Sequence, residues 1–160
     1  AYHALADEIW TQTGGRIDAF VQSAGTAACV RGVSESLRRR KPDIRIVAVE
    51  PSESAVLSGG RTGVHKIEGV GAGFVVPLWN PSIADEIATV STEAAMAMAR
   101  RLARAEALFA GTSTGANLVA AIALGLRLGK DATVVTVMCD SGLKYLSTPL
   151  YAGDPAIPPQ

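Results

Sequence analysis

The sequence predicts an α/β fold of three layers, a parallel sheet with helices on both faces. Two observations predict it. Short, largely apolar runs at 16–24, 44–51 and 133–140 are bounded by turn residues, the pattern of strands buried on both sides. Longer stretches with helical spacing alternate with them, and strands that alternate with helices build a parallel sheet covered on both faces.

Taken in order, residues 4–13 have helical spacing, with Leu5, Ile9 and Trp10 on one side and "TGG" (13–15) as the stop. "RIDAFVQSA" (16–24) reads as a buried strand. After Gly25, residues 28–39 fit a helix with Val30, Val33 and Leu37 inward and Pro42 beyond its end. "IRIVAVEP" (44–51) is β-branched and closed by proline. Residues 16–51 are therefore a βαβ unit, which makes a right-handed crossover. Residues 52–82 carry glycines at 59, 60, 63, 69, 71 and 73 and are too long for an idle connector. "EIATVS" (86–91) is a short strand, and Ser91 is placed to cap the helix 93–107. "LFAG" leads to a second glycine corner, "GTSTGA" (111–116), and an alanine-rich helix ending near Gly129. "TVVTVMCD" (133–140) is the last strand, and residues 152–160 read as a frayed tail.

Composition narrows the function. A chain of 160 residues, 48% apolar, is one domain with a sizeable core. Fifteen basic residues balance fifteen acidic ones, so nothing points to nucleic acid or an anionic membrane surface. The basic cluster Arg38, Arg39, Arg40 reads as a solvated helix end. Cys29 and Cys139 have no disulfide or metal spacing, and His3 and His65 do not cluster with other ligands. No apolar run reaches the ~20 residues of a membrane span. No signal peptide is visible. The expectation is a cytoplasmic protein. The chain opens on a helix without Met, as expected of a polypeptide whose true beginning lies elsewhere.

Ligands in such sheets sit beyond the C-terminal strand ends, and three segments end there. The first is Gly25–Cys29. A strand, a glycine and a helix N-terminus gather free N–H groups and a positive dipole end, and Thr26 adds a hydroxyl. Small residues here equally serve close helix–strand packing. The second is "GTSTGA", whose hydroxyls either bind an anion or satisfy the helix end. The third is "MCDSGLKYLST" (138–148). There a hydroxyl (Ser141) suits a neutral ring nitrogen, a carboxylate (Asp140) a protonated one, and an ordinary turn uses the same residues. Neither G-x-G-x-x-G at the first corner nor G-x-x-x-x-G-K-[ST] is present, against a dinucleotide or a nucleoside triphosphate.

In order along the chain, "EIWTQTGGRIDAFV", "GTAAC", "VEP", "HKIEGVGAGF" and "SGLKYLST" resemble the cysteine synthase / cystathionine β-synthase family, the fold type II enzymes that use pyridoxal phosphate. The resemblance covers residues 1–151 and is to the C-terminal, large-domain portion. It implies pyridoxal 5'-phosphate as cofactor. Gly25, Thr26, Ala27, Ala28 and Cys29 would wrap its phosphate, and Ser141 would share a hydrogen bond with its ring nitrogen. Gly69, Val70 and Gly71 would line the mouth. The family has G-T-G-G-T where this chain has "GTAAC". Extra methyls are tolerable at helical φ and ψ and less so at positive φ.

The resemblance further implies β-replacement on O-acetylserine, or a similar activated serine, with sulfide. The alternatives are a cystathionine β-synthase, a cysteine lyase, or a non-catalytic assembly module. No catalytic residue is assigned within the chain. The family's Schiff-base lysine belongs to an N-terminal domain that this sequence lacks, and Lys66 beside the glycine loop is not that residue. The implied partners are an amino-acid substrate, a polypeptide supplying the N-terminal domain, and a second copy in a homo-oligomer.

Overall fold

The computed structural model describes residues 2–152. The tail expected at 152–160 lies outside them except for Ala152, which closes a turn onto Thr148.

Strands β1 (Ala19–Ser23), β2 (Arg45–Pro51), β3 (Glu86–Val90) and β4 (Val134–Thr136) form one parallel sheet in the order β3-β2-β1-β4. Helices α1 (Tyr2–Gln12) and α2 (Ala28–Arg40) cover one face. Helix α4 (Thr112–Leu128) covers the other, with α3 (Thr92–Glu106) packed on it. Alternation along the strands feeds both cores. Phe20 and Ile46 meet Val30, Val33 and Leu37, whereas Val21, Val47 and Val49 meet Ala116, Ala120 and Leu124.

Small residues let α3 and α4 approach closely. A Cβ on Gly115 would lie 2.0 Å from the carbonyl oxygen of Ala95. Ser91 caps α3, accepting the Ala94 N–H at 3.1 Å. The arginines at the end of α2 are clamps rather than a freely solvated end. Arg38 donates to the carbonyls of Ser82 and Ile83 and to Asp85. Arg40 pairs with Asp7 and stacks over Trp10.

The last strand is shorter than its apolar run predicts. Past Thr136, side chains of α4 replace the ladder. The Val137 carbonyl accepts from Asn117, and the Cys139 N–H goes to the Thr114 hydroxyl. The long segment 52–82 is held from within. Buried Glu50 accepts the Leu57 and Ser58 amides at 2.7 and 2.9 Å. His65 accepts the Ile67 N–H on Nδ1, which leaves Nε2–H to donate to the Gly71 carbonyl.

Candidate active site

Beyond the C-terminal ends of β1 and β4 lies a cavity of about 630 Å³. Four segments contribute to its wall: the opening of α2, the opening of α4, the glycine loop at 68–70, and the stretch after β4 from Cys139 to Thr148. Gly25, Thr26, Ala27, Cys29 and Gly69 line it as the sequence predicts.

The α2 corner is shaped by backbone. A Cβ on Gly25 would sit 2.3 Å from the Gly69 carbonyl oxygen, so only glycine lets the two loops touch. Ala27 occupies the left-handed region, with φ 64° and ψ 0°. This is the positive φ at which a methyl is unwelcome, at about 1 kcal/mol. Ala28 is the first helical residue and tolerates its methyl, but it does not line the cavity. Its N–H turns to the Thr26 hydroxyl at 3.3 Å. The N-cap residue Ala27 itself makes no side-chain cap, so apart from the Ala28 amide the opening of α2 leaves its positive dipole end to a space large enough for an anion.

The α4 corner is braced instead. Thr112 Oγ1 accepts the Glu68 N–H at 3.1 Å, fixing the glycine loop. Fully buried Asn117 accepts the Ser23 N–H at 2.7 Å and donates toward Gln22, Val137 and Cys139. Ser113 is 4% exposed and lines the cavity. No described residue takes its hydroxyl.

Ser141 is not brought into this wall. It is exposed, and its hydroxyl accepts the Leu143 N–H at 3.2 Å, capping a 3-10 turn at Gly142–Tyr145. The Asp-Ser-Gly signature at 140–142 uses its turn chemistry, and Ser113 adds a further hydroxyl-bearing residue to the cavity lining. The distinguishing signal was its place in the first turn of a helix that opens at the sheet's C-terminal edge.

Asp140 lines the cavity and is engaged through one oxygen, while its Oδ1 is buried without a hydrogen-bond partner among the described residues. Its Oδ2 accepts from Lys144 Nζ at 2.9 Å and Tyr145 OH at 2.7 Å. The hydrogen bond to Asp140 raises the Lys144 pKa and keeps it cationic. Burial, then the same carboxylate, raises that of Tyr145. Lys66 is exposed and outside the cavity wall. Among the described residues no cluster of three or more His, Cys, Asp or Glu is arranged to hold a metal, and no helix is long and apolar enough to cross a membrane.

These features fit pyridoxal phosphate. The α2 start would offer amides to a phosphate, the Ser113 hydroxyl a partner to a ring nitrogen, and Val70 an apolar neighbour to the ring.

Comparison with known proteins agrees with the geometry. Residues 1–140 match the family model described as "Pyridoxal-phosphate dependent enzyme". A cysteine synthase of Staphylococcus aureus (strain N315) is 48% identical over 141 residues, 88% of this chain and 46% of that protein. The O-acetyl serine sulfhydrylase isoform 3 of Entamoeba histolytica superposes with a TM-score of 0.91 at 40% identity, covering 96% of this chain and 46% of that one. The O-acetylserine dependent cystathionine beta-synthase of Helicobacter pylori gives 0.88 at 37%, covering 94% and 49%. The chain thus spans about half the length of the relatives it matches. A parallel sheet with a phosphate-ready helix start, matched over residues 1–140, places the chain in the pyridoxal-phosphate dependent enzyme family.

Proposed function

We propose that this chain is the cofactor-holding part of an enzyme that replaces the β-substituent of O-acetylserine, or a similar activated serine, with sulfide. One observation carries the reading: the α2 start, whose N-cap residue offers no side chain, and Ser113 line one cavity together with the Gly69 loop. The cysteine synthase relative at 48% identity supports the substrate class.

Gly25, Thr26, Ala27 and Cys29 hold the phosphate through backbone amides. Ser113 orients the ring by its nitrogen. A hydroxyl there, in place of a carboxylate, leaves the ring nitrogen unprotonated. Bound in this way, pyridoxal phosphate supplies an electron sink for the substrate's α-carbon. Gly69 and Val70 border the mouth, where the substrate enters. Lys144 is held by Asp140, so the amine that carries the cofactor and the base that takes the α-proton come from beyond the described residues. A second polypeptide, or further chain, supplies them.

The test is an assay of the protein together with its complementing part, using O-acetylserine and sulfide. Cysteine formation that falls when Ser113→Ala is introduced supports the reading. No turnover with any activated serine contradicts it. The likeness to an O-acetylserine dependent cystathionine beta-synthase favours one second reading, homocysteine as acceptor, and the same assay with homocysteine in place of sulfide separates the two.

A further inference from the structure

Two thiols share the cavity, and the proposed function uses neither sulfur. Cys29 lies in the first turn of α2, on the phosphate side. Cys139 lies just past β4, the strand paired with β1. Amide groups of Gln22 and Asn117, each 3.4 Å away, anchor its sulfur at the cavity wall. Cys139 is exposed and Cys29 half-buried. We propose that these cysteines are a redox pair: a hydroperoxide oxidises Cys139, Cys29 resolves the product to a disulfide, and the disulfide shuts the cavity to phosphate ligands.

The chemistry balances. The Cys139 sulfur attacks the distal oxygen of the hydroperoxide, the O–O bond breaks, and an alcohol or water leaves. Cys139 then carries a sulfenic S–OH. The Cys29 sulfur displaces that hydroxyl, which departs as water with the Cys29 proton. Two electrons have passed from the thiols to the peroxide. The order follows from access. Burial pushes the Cys29 thiol up to about 11, and the nearby Cys139 pushes the same way. Cys29 therefore stays protonated at neutral pH and does not react first. The closing of the cavity rests on the cofactor reading above; the pairing of the thiols does not.

The test treats the reduced full chain with hydrogen peroxide and maps its peptides by mass without reductant. A Cys29–Cys139 cross-linked peptide in monomeric protein is expected, with both free thiols lost together. Cys29→Ser is expected to stop at a sulfenic acid that dimedone traps on Cys139, and Cys139→Ser to react far more slowly. Separate oxidation of each cysteine, or cross-links only between chains, overturns the pair. Pyridoxal phosphate binding is then compared between reduced and oxidised chain. Loss on oxidation with recovery in dithiothreitol supports the closing, and equal binding by both forms overturns it. Failure of the reduced chain to bind pyridoxal phosphate counts against the cofactor reading, and the mass map still decides the pair.

Discussion

The two helix starts that face the cavity look alike in sequence, "GTAAC" and "GTSTGA", and are built for different work. At α4 the hydroxyls of Thr112 and Thr114 and the amide of Asn117 are spent on neighbouring backbone, and only Ser113 remains open. At α2 the Thr26 hydroxyl takes only the Ala28 amide, and a strained alanine that caps nothing turns the chain into the helix. One start braces the sheet and offers a single hydroxyl. The other leaves its backbone donors for a ligand. A glycine followed by hydroxyls at a strand end does not distinguish these cases; where the hydroxyls go does.

The brace is broken most strongly at Asn117. Replacing it with Ala orphans the Ser23 amide in a buried place, and about 3 kcal/mol of stability should go. Urea unfolding followed by circular dichroism measures this. A loss under 1 kcal/mol would mean that α4 is not stitched to the strand ends through this residue.

Gly25→Ala tests the ligand start. The added methyl cannot share space with the Gly69 carbonyl, so the two loops part. Pyridoxal phosphate affinity, measured by equilibrium dialysis, is expected to fall roughly tenfold or more, the worth of one or two hydrogen bonds.

Ala27→Gly works in the opposite direction. It relieves the left-handed strain of about 1 kcal/mol and gives back part of that through the freer unfolded chain. The net gain in thermal unfolding should be about 0.5 kcal/mol. A loss would show that the methyl packs better than its φ suggests.

The smallest effect lies at the other end of β1, away from both starts. Asp18 accepts the Thr133 N–H at 2.8 Å and pairs with Lys41 at 2.9 Å. The Thr133 amide first, then Lys41, hold its pKa below the ordinary carboxylate value. A pKa lowered by folding gives stability that is present above the unfolded carboxylate's value, about 3.9, and is lost as pH falls through the folded one. Stability plotted against pH should therefore drop on the acid side. Asp18→Asn should flatten that limb and cost up to about 1 kcal/mol at pH 7, since the group is partly exposed and screened by solvent. An unchanged acid limb would remove Asp18 as a source of it.

The sheet and its helices were legible because apolar spacing is local information. Residues 28–39 read as a helix, and α2 is Ala28–Arg40. "IRIVAVEP" read as a strand, and β2 is Arg45–Pro51. The length of β4 was not legible, because Asn117 and Thr114, some twenty residues away in sequence, take over its hydrogen bonds. At the site, the α2 corner was visible from Gly25 and Thr26. The place of Ser113 in the cavity lining was not. Ser113 and Ser141 both follow apolar segments, and only tertiary packing turns Ser141 to its own 3-10 turn.

The central claim is that a phosphate sits on the α2 start while Ser113 meets the ring of the same molecule. Amide chemical shifts, followed by NMR as pyridoxal phosphate is added to the chain, test it most directly. Thr26, Ala27, Ala28, Cys29 and Ser113 are expected to move together with one dissociation constant. Shifts gathered around Ser141 and Gly142, with the α2 start unmoved, would contradict it.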